Sequence, residues 1–343
     1  MQKTSKTSRP SGKTISSLVS ADTVKFELAF LHPKYWALWL LVGLLWITTQ
    51  TLPYRWQLAL GRRLGRLLMT VVPSRRKTAE RNLELCFPDM PDDERRALLI
   101  KNFESTGIAL FELAMAWWWS DKRLSKLLTF KGLEHIEQAQ QEGRGVLLFS
   151  LHSLTLEIGV RLFGLKSDGL GVYRPHNNPV MEYLQVRGRS RSNKGMINKF
   201  KLKSAIRALR QGEIVWYTTD QDFGRDGAEF VPFFAVKEAA TITGSSTMCR
   251  ISKAKMMSFL ATRNADDSGY TLEISEPLDD FPSGDDRADA IRCNKIIEQG
   301  ILKAPEQYMW LHRRFKTRPN PDDPSLYGKQ PEFADVSVIA EAS

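Results

Sequence analysis

The stretch LLFSLHSLTLEIG, Leu147 to Gly159, decides the fold. LLFSL is an unbroken apolar run of the kind a strand buried on both faces requires. It breaks on His152, and a helical pattern starts directly after it, with Glu157 inside the first turn. A strand-to-helix turn in an α/β sheet is where binding sites gather. Along a continuous helix, five residues rotate the side chain by about 140°, so His152 and Glu157 would point apart. They can meet only if His152 precedes the helix. In that geometry His152 is a general base on a bound hydroxyl, and Glu157 holds the imidazole tautomer. A core histidine beside a surface glutamate is the bland alternative. No GxSxG elbow and no paired cysteine accompany them, so an acyl-enzyme is not indicated.

Outward from this turn the same alternation continues. Short apolar strands, GLGVYRP, EIVWYTT, MMSFLAT and YTLEISE, separate helical stretches near 179–190, 199–211, 240–253 and 287–303. The pattern predicts an α/β fold: a mixed, mostly parallel sheet flanked by helices. Upstream lies a helical region, 75–119, interrupted at CFPDMPDDE and ending in Trp117, Trp118 and Trp119. Three adjacent positions cannot share one helix face, so some of these rings would meet lipid or an acyl tunnel, unless core packing takes all three.

The ends differ in character. Residues 1–34 are basic and rich in Ser, Thr and Lys at their start, and are expected to be disordered. Residues 35–54 are apolar and carry five interface-type aromatics with their flank, which predicts a membrane anchor helix, spanning or half-inserted. The basic flank after it, Arg55 to Lys77, places that side in the cytoplasm. Arg55 to Met69 reads equally as an amphipathic helix on anionic lipid or as a solvated helix face. The catalytic domain would span 55–318, and 319–343 would be a loose tail.

The formal net charge of the 343 residues is +10, which favours anionic partners. No RNP-like, helix-turn-helix or zinc-finger signal is present, so nucleic acid is disfavoured. The three cysteines are widely spaced and the five histidines have no metal-ligand spacing, so neither a disulfide framework nor a bound metal is expected.

His152 to Glu157 matches the HX4D/E motif of the glycerolipid-type acyltransferases. More specifically, the chain resembles the late acyltransferases of lipid A biosynthesis, the lauroyl and myristoyl transferases of Gram-negative bacteria. The resemblance is carried by RNLELCFP (81–88), YRPHNNP (173–179), DQDFG (220–224), FVPFF (230–234) and QYMWLHRRFKTRP (307–319), and is slightly closer to the myristoyl branch. It implies transfer of an acyl chain from acyl carrier protein to a hydroxyl of an acylated, phosphorylated lipid A precursor. That reaction takes place at the cytoplasmic face of the bacterial inner membrane and needs no cofactor beyond the carrier thioester.

In that setting backbone amides after Leu151, or an arginine, would stabilise the oxyanion. Arg174 would contact phosphate or sugar, and Arg187, Arg189 and Arg191 would cradle anionic headgroups, with Arg313 and Arg314 as similar candidates. Each has a solvated loop as its alternative. Asp220 and Asp222 would position arginines or acceptor hydroxyls, or simply shape a turn. FVPFF would line the acyl pocket or form a plain core strand. Two other readings stay open: a thioesterase using water as acceptor, and a non-catalytic membrane-docked lipid-binding protein.

Overall fold

The computed structural model describes residues 18–20 and 22–328. Its strands are β1 Leu18–Val19, β2 Leu128–Lys131, β3 Val146–Ser150, β4 Leu170–Tyr173, β5 Gly195–Asn198, β6 Ile214–Thr218, β7 Ala228–Phe233, β8 Val236–Ile242, β9 Lys255–Arg263 and β10 Tyr270–Ile274. Its helices are α1 Trp36–Thr51, α2 Tyr54–Val71, α3 Pro73–Cys86, α4 Asp92–Trp118, α5 Asp121–Leu124, α6 Leu133–Gln141, α7 Leu156–Phe163, α8 Pro179–Arg189, α9 Leu202–Arg210, α10 Gly244–Ser252 and α11 Asp286–Lys303.

The large sheet runs β1-β5-β4-β6-β3-β9-β10-β2, and β5, β4, β6, β3 and β9 are parallel. All positions of β3 are buried, as its apolar run requires. Leu147 and Phe149 join a core with Ala205 and Ala208 of α9, Met248 of α10 and Ile297 of α11. Val146 and Leu148 face the other way, into a core with Ile158 and Leu162 of α7 and Phe111 and Met115 of α4. The mixed, mostly parallel sheet with helices on both faces is therefore the architecture that the alternation predicts.

The differences have local causes. The apolar segment 35–54 is not one helix. Leu52 is extended and Pro53 starts a new helix, because proline lacks an N–H and disfavours the α region at the residue before it. At its 16 residues α1 is about 24 Å long, and among the described residues no helix is long and apolar enough to cross a membrane. This corrects the spanning form of the anchor. α2 is held on α4 by glycines: a Cβ at Gly65 would lie 2.0 Å from the Phe103 carbonyl oxygen, and one at Gly107 would lie 2.1 Å from that of Gly61.

Residues 18–20 and 22–34, expected to be disordered, pack on the body. Leu18 and Val19 pair with β5, and Phe30 is buried with its ring against Phe26 and Tyr183. The rest of the N-terminal segment lies outside the described residues. At the other end, residues 319–328 fold back on α3. The Tyr327 hydroxyl donates to Asn82 (2.6 Å) and accepts from the Phe315 N–H (3.0 Å). Residues 329–343 lie outside the described residues.

The expected helix 240–253 is shorter, since β8 runs to Ile242. FVPFF belongs to the β7–β8 hairpin, with Val231 and Phe233 in the core, and does not line the large cavity. Trp117 and Trp119 are buried in the body, so the tryptophan run does not face outward as a set.

Candidate active site

Register builds the site. β3 and β6 are parallel, with Ser150 opposite Thr218. Two residues beyond each partner the chain leaves the sheet, and there His152 and Asp220 stand side by side. Asp220 Oδ1 lies 2.7 Å from His152 Nδ1, and its Oδ2 accepts the His152 backbone N–H at 2.9 Å. Burial alone pushes the Asp220 carboxyl up. The charge of His152 and these hydrogen bonds outweigh it and hold the group below the ordinary carboxylate range. An ionised carboxylate only accepts, so Nδ1 is the donor to it, and in the neutral form of the ring Nε2 carries the lone pair. Thr218 Oγ1 lies 3.2 Å from Nε2.

His152 does precede α7, and Glu157 does lie in its first turn. The expected contact between them is not made. Glu157 takes Nε of Arg189 at 2.9 Å, a second guanidinium N–H of the same arginine, and the Trp117 indole N–H at 3.4 Å. The physical reason is competition: a charged fork and an indole from α8 and α4 satisfy Glu157, while Asp220 satisfies the histidine. Glu157 lines the same cavity, where its charge neutralises Arg189.

The expected oxyanion donors are backbone amides at the helix start after Leu151, or an arginine. The amides of His152, Ser153 and Leu154 are engaged by Asp220, by the Leu151 carbonyl and by the Gln307 carbonyl.

The cavity follows from a divergence in the sheet. β4 pairs with β6 only at Leu170 and Gly171, yet pairs with β5 through Tyr173, while β6 stays with β3 to Thr218. The strands splay at their carboxyl ends and open a cavity of about 1640 Å³. Pockets for small molecules are typically roughly 300–1,000 Å³, so this one suits a larger amphiphile. Leu156, Val160, Val172, Met196, Ile206 and Trp216 supply apolar wall, and Arg75, Lys77, Arg174, Lys199, Arg313 and Lys316 supply cationic wall.

Of the residues expected from sequence, His152, Glu157, Arg174, Arg189 and Arg313 line this space, with Asp220 behind the histidine. The others do not line it. Arg187 is exposed with its guanidinium over the Tyr183 ring, and Arg191 donates to the Trp117 carbonyl. Asp222 binds Thr317 and the Gly224 N–H, so it clamps a loop. Arg314 is buried on Ala240 and Thr241 of β8, where it ties the hairpin to the body. Sequence reasoning missed Thr218, whose only signal is its place at a strand end. It also missed Arg75, Lys77, Lys199 and Lys316, which sequence alone presents as ordinary basic flanks.

His312 lies against the dyad. Burial pushes its ring down to about 4, and the charge of His152 pushes the same way. It is therefore neutral near pH 7 in the folded protein. Between pH 6.5 and about 4 the unfolded chain binds a proton that the fold does not, so stability is lost as pH drops through that window. The full effect is about 3 kcal/mol at 1.36 kcal/mol per unit. His312→Gln is expected to flatten the dependence of the urea midpoint on pH from 6.5 to 4; an unchanged slope would refute this assignment.

A parallel α/β sheet whose strand ends carry a buried Asp–His dyad, open to a cavity with apolar and cationic walls, has the groups that could take a proton from a hydroxyl and the lining that could hold an anionic amphiphile. The chain belongs to the bacterial lipid A biosynthesis acyltransferases, whose family model matches residues 23–317. It is 48% identical over 295 residues to the lipid A biosynthesis lauroyltransferase of Escherichia coli (strain K12), covering 86% of this chain and 96% of the relative. It is 45% identical over 295 residues, with the same coverage, to the palmitoleoyltransferase of that organism. The myristoyltransferase of that organism is 28% identical over 297 residues, 86% of this chain and 91% of the relative. These identities overturn the slight leaning to the myristoyl branch. The protein is an acyltransferase.

Proposed function

We propose that the protein transfers a fatty acyl chain from an acyl carrier protein thioester to a hydroxyl of an acylated lipid A precursor. The observation that carries this reading is the Asp220–His152 dyad with Nε2 facing a cavity large enough for an amphiphile, in a chain of this family. The acceptor hydroxyl displaces Thr218 from Nε2 and gives up its proton there as its oxygen attacks the thioester carbonyl. The tetrahedral intermediate collapses, and the leaving thiolate regains a proton from the imidazolium. With the amides of His152, Ser153 and Leu154 engaged, a cationic side chain of the cavity wall stabilises the oxyanion. Asp220 keeps the ring oriented throughout.

The test incubates purified protein with acyl carrier thioester, with and without a lipid A precursor. Acylated acceptor in the first case supports the reading. Release of free fatty acid at the same rate in both cases makes the protein a hydrolase instead.

The same reading places the enzyme on the cytoplasmic face of the inner membrane, lying on the bilayer. Leu40, Leu44 and Ile47 recur at helical spacing on α1, as do Trp56, Leu60 and Leu67 on α2, and all six are exposed; apolar surface gathered in this way marks an interaction site. Exposed Arg55 and Arg63 stand beside it, suited to anionic headgroups. Val71 is exposed, and Val72 and Pro73 already line the cavity, so the apolar face leads to its mouth. Replacing Leu40, Leu44, Ile47 and Trp56 with Ser is expected to weaken flotation with anionic vesicles by on the order of 10²–10³-fold, at about 1 kcal/mol per half-inserted side chain. Undiminished flotation would show that another surface binds the membrane.

A further inference from the structure

The cavity wall carries more positive charge than a single oxyanion needs. Arg75 and Lys77 come from the first turns of α3, and Arg313 and Lys316 from the segment after α11. The two groups are far apart in sequence, yet Arg75 reaches the Leu311 carbonyl. Three other arginines turned into the body are paired with acids: Arg161 with Asp121, Arg189 with Glu157 and Arg263 with Glu112. Among the described residues, none of the four cations here has a carboxylate within ion-pair distance. Glu157 and Asp226 are the acids that line the cavity, and Glu157 is already neutralised.

Like charges that share a wall with no carboxylate between them cost free energy. Burial first, and then Arg313, lower the Arg75 guanidinium below its usual range. Pro73 and Ser74, at the start of α3, line the same wall, and no side chain caps that helix. Its N-terminus therefore adds partial positive charge toward the same space. His312, next to Arg313, feels the charges of both Lys316 and His152, so the cluster adjoins the dyad.

We infer that Arg75, Lys77, Arg313 and Lys316 form a binding site for a phosphate monoester, taken from the acceptor lipid. This rests on the proposed acceptor and goes further: it assigns the residues that recognise its phosphate. Arginine forks suit phosphate oxygens bidentately, and the two lysines complete the neutralisation. A phosphate fixed here anchors the acceptor beside Nε2, which is how binding at a remote group positions a reacting one.

The test uses the full chain and the double variant R75Q/R313Q, with melting temperature as the folding check. Transfer is measured to a phosphorylated acceptor and to the same acceptor after phosphatase treatment. The wild type is expected to prefer the phosphorylated form, and the ratio of the two kcat/KM values is expected to fall at least tenfold in the variant. An equal loss on both acceptors, as a phosphate of the carrier arm or a merely structural role would produce, overturns the proposal. Titration with inorganic phosphate at low salt is the second readout. The variant is expected to bind at least tenfold more weakly than wild type, and equal binding overturns the proposal. If the wild type acylates neither acceptor, the proposed function fails, and the phosphate titration alone decides the site.

Discussion

Acyl transfer by the His152→Ala variant is expected to fall by about 10²–10⁴-fold, the range that a positioned general base contributes. The expectation follows from the dyad geometry, in which Nδ1–H is held by an ionised, fully buried carboxylate and Nε2 is the ring position left to accept a proton. Asp220→Asn is expected to lose nearly as much. Its amide can donate to Nδ1 and stabilise the wrong tautomer, and it cannot balance the imidazolium that forms. Because the two residues act as one unit, the double variant should be little worse than either single one.

Glu157→Gln should lose less than Asp220→Asn, since it weakens the Arg189 pair but leaves the dyad intact. Single-turnover transfer of a labelled acyl chain measures all four variants. A larger loss for Glu157→Gln than for Asp220→Asn would return the catalytic partnership to the HX4E pair and sink the dyad. Asp220 also has a pH signature. Its folded-state pKa is depressed, so its stabilisation is present above the ordinary carboxylate range and is lost as pH falls through the lower folded value.

The second large effect concerns stability. Arg263→Met is expected to cost about 3–5 kcal/mol, because it leaves a buried carboxylate without its counter-charge. Arg263, at the end of β9, donates to Glu112 at 2.7 Å and to Ser105 at 2.8 Å on α4, and Tyr270 of β10 donates to the same Glu112 oxygen at 2.8 Å. Both charged groups are buried, and together they fix the long helix to the antiparallel edge of the sheet. Well-packed apolar replacements of a whole buried pair are often neutral, so the double variant Glu112→Leu/Arg263→Met should recover most of the loss. Urea unfolding of the two variants beside wild type measures this. A single variant as stable as wild type, or a double variant no better than the single one, would show that the pair does not hold α4 in place.

Much of this was legible in residue order. β3, β4, β6, β9 and β10 are each announced by an apolar run, and α7, α8 and α11 fall close to where the helical pattern places them. The β7–β8 hairpin was not legible: Pro232 interrupts its pattern, and its pairing is irregular at that point. The two short strands β1 and β5 carry too few residues for a period to show; β5 rests on its parallel partner β4, and β1 on β5.

The site divides in the same way. His152 is marked by its place after an apolar strand, and its local neighbour Glu157 is the natural partner when only nearby residues are considered. The partner in the fold, Asp220, is 68 residues away. DQDFG placed it at a strand end, but nothing local says that β6 lies against β3.

Residue order by itself therefore determined the α/β alternation, the position of the reactive histidine at a strand-to-helix turn, and the family to which the chain belongs. These are properties of local pattern and of motif order. Which carboxylate serves the histidine, and which cations share its cavity, was decided only by tertiary structure. Parallel pairing of β3 with β6 sets Ser150 opposite Thr218 and so brings His152 to Asp220. The packing of α3 against the segment after α11 brings Arg75 to the same wall as Arg313. Charge and hydrogen bonding act over a few ångströms of space, and separation along the chain says little about that distance until the sheet register is known.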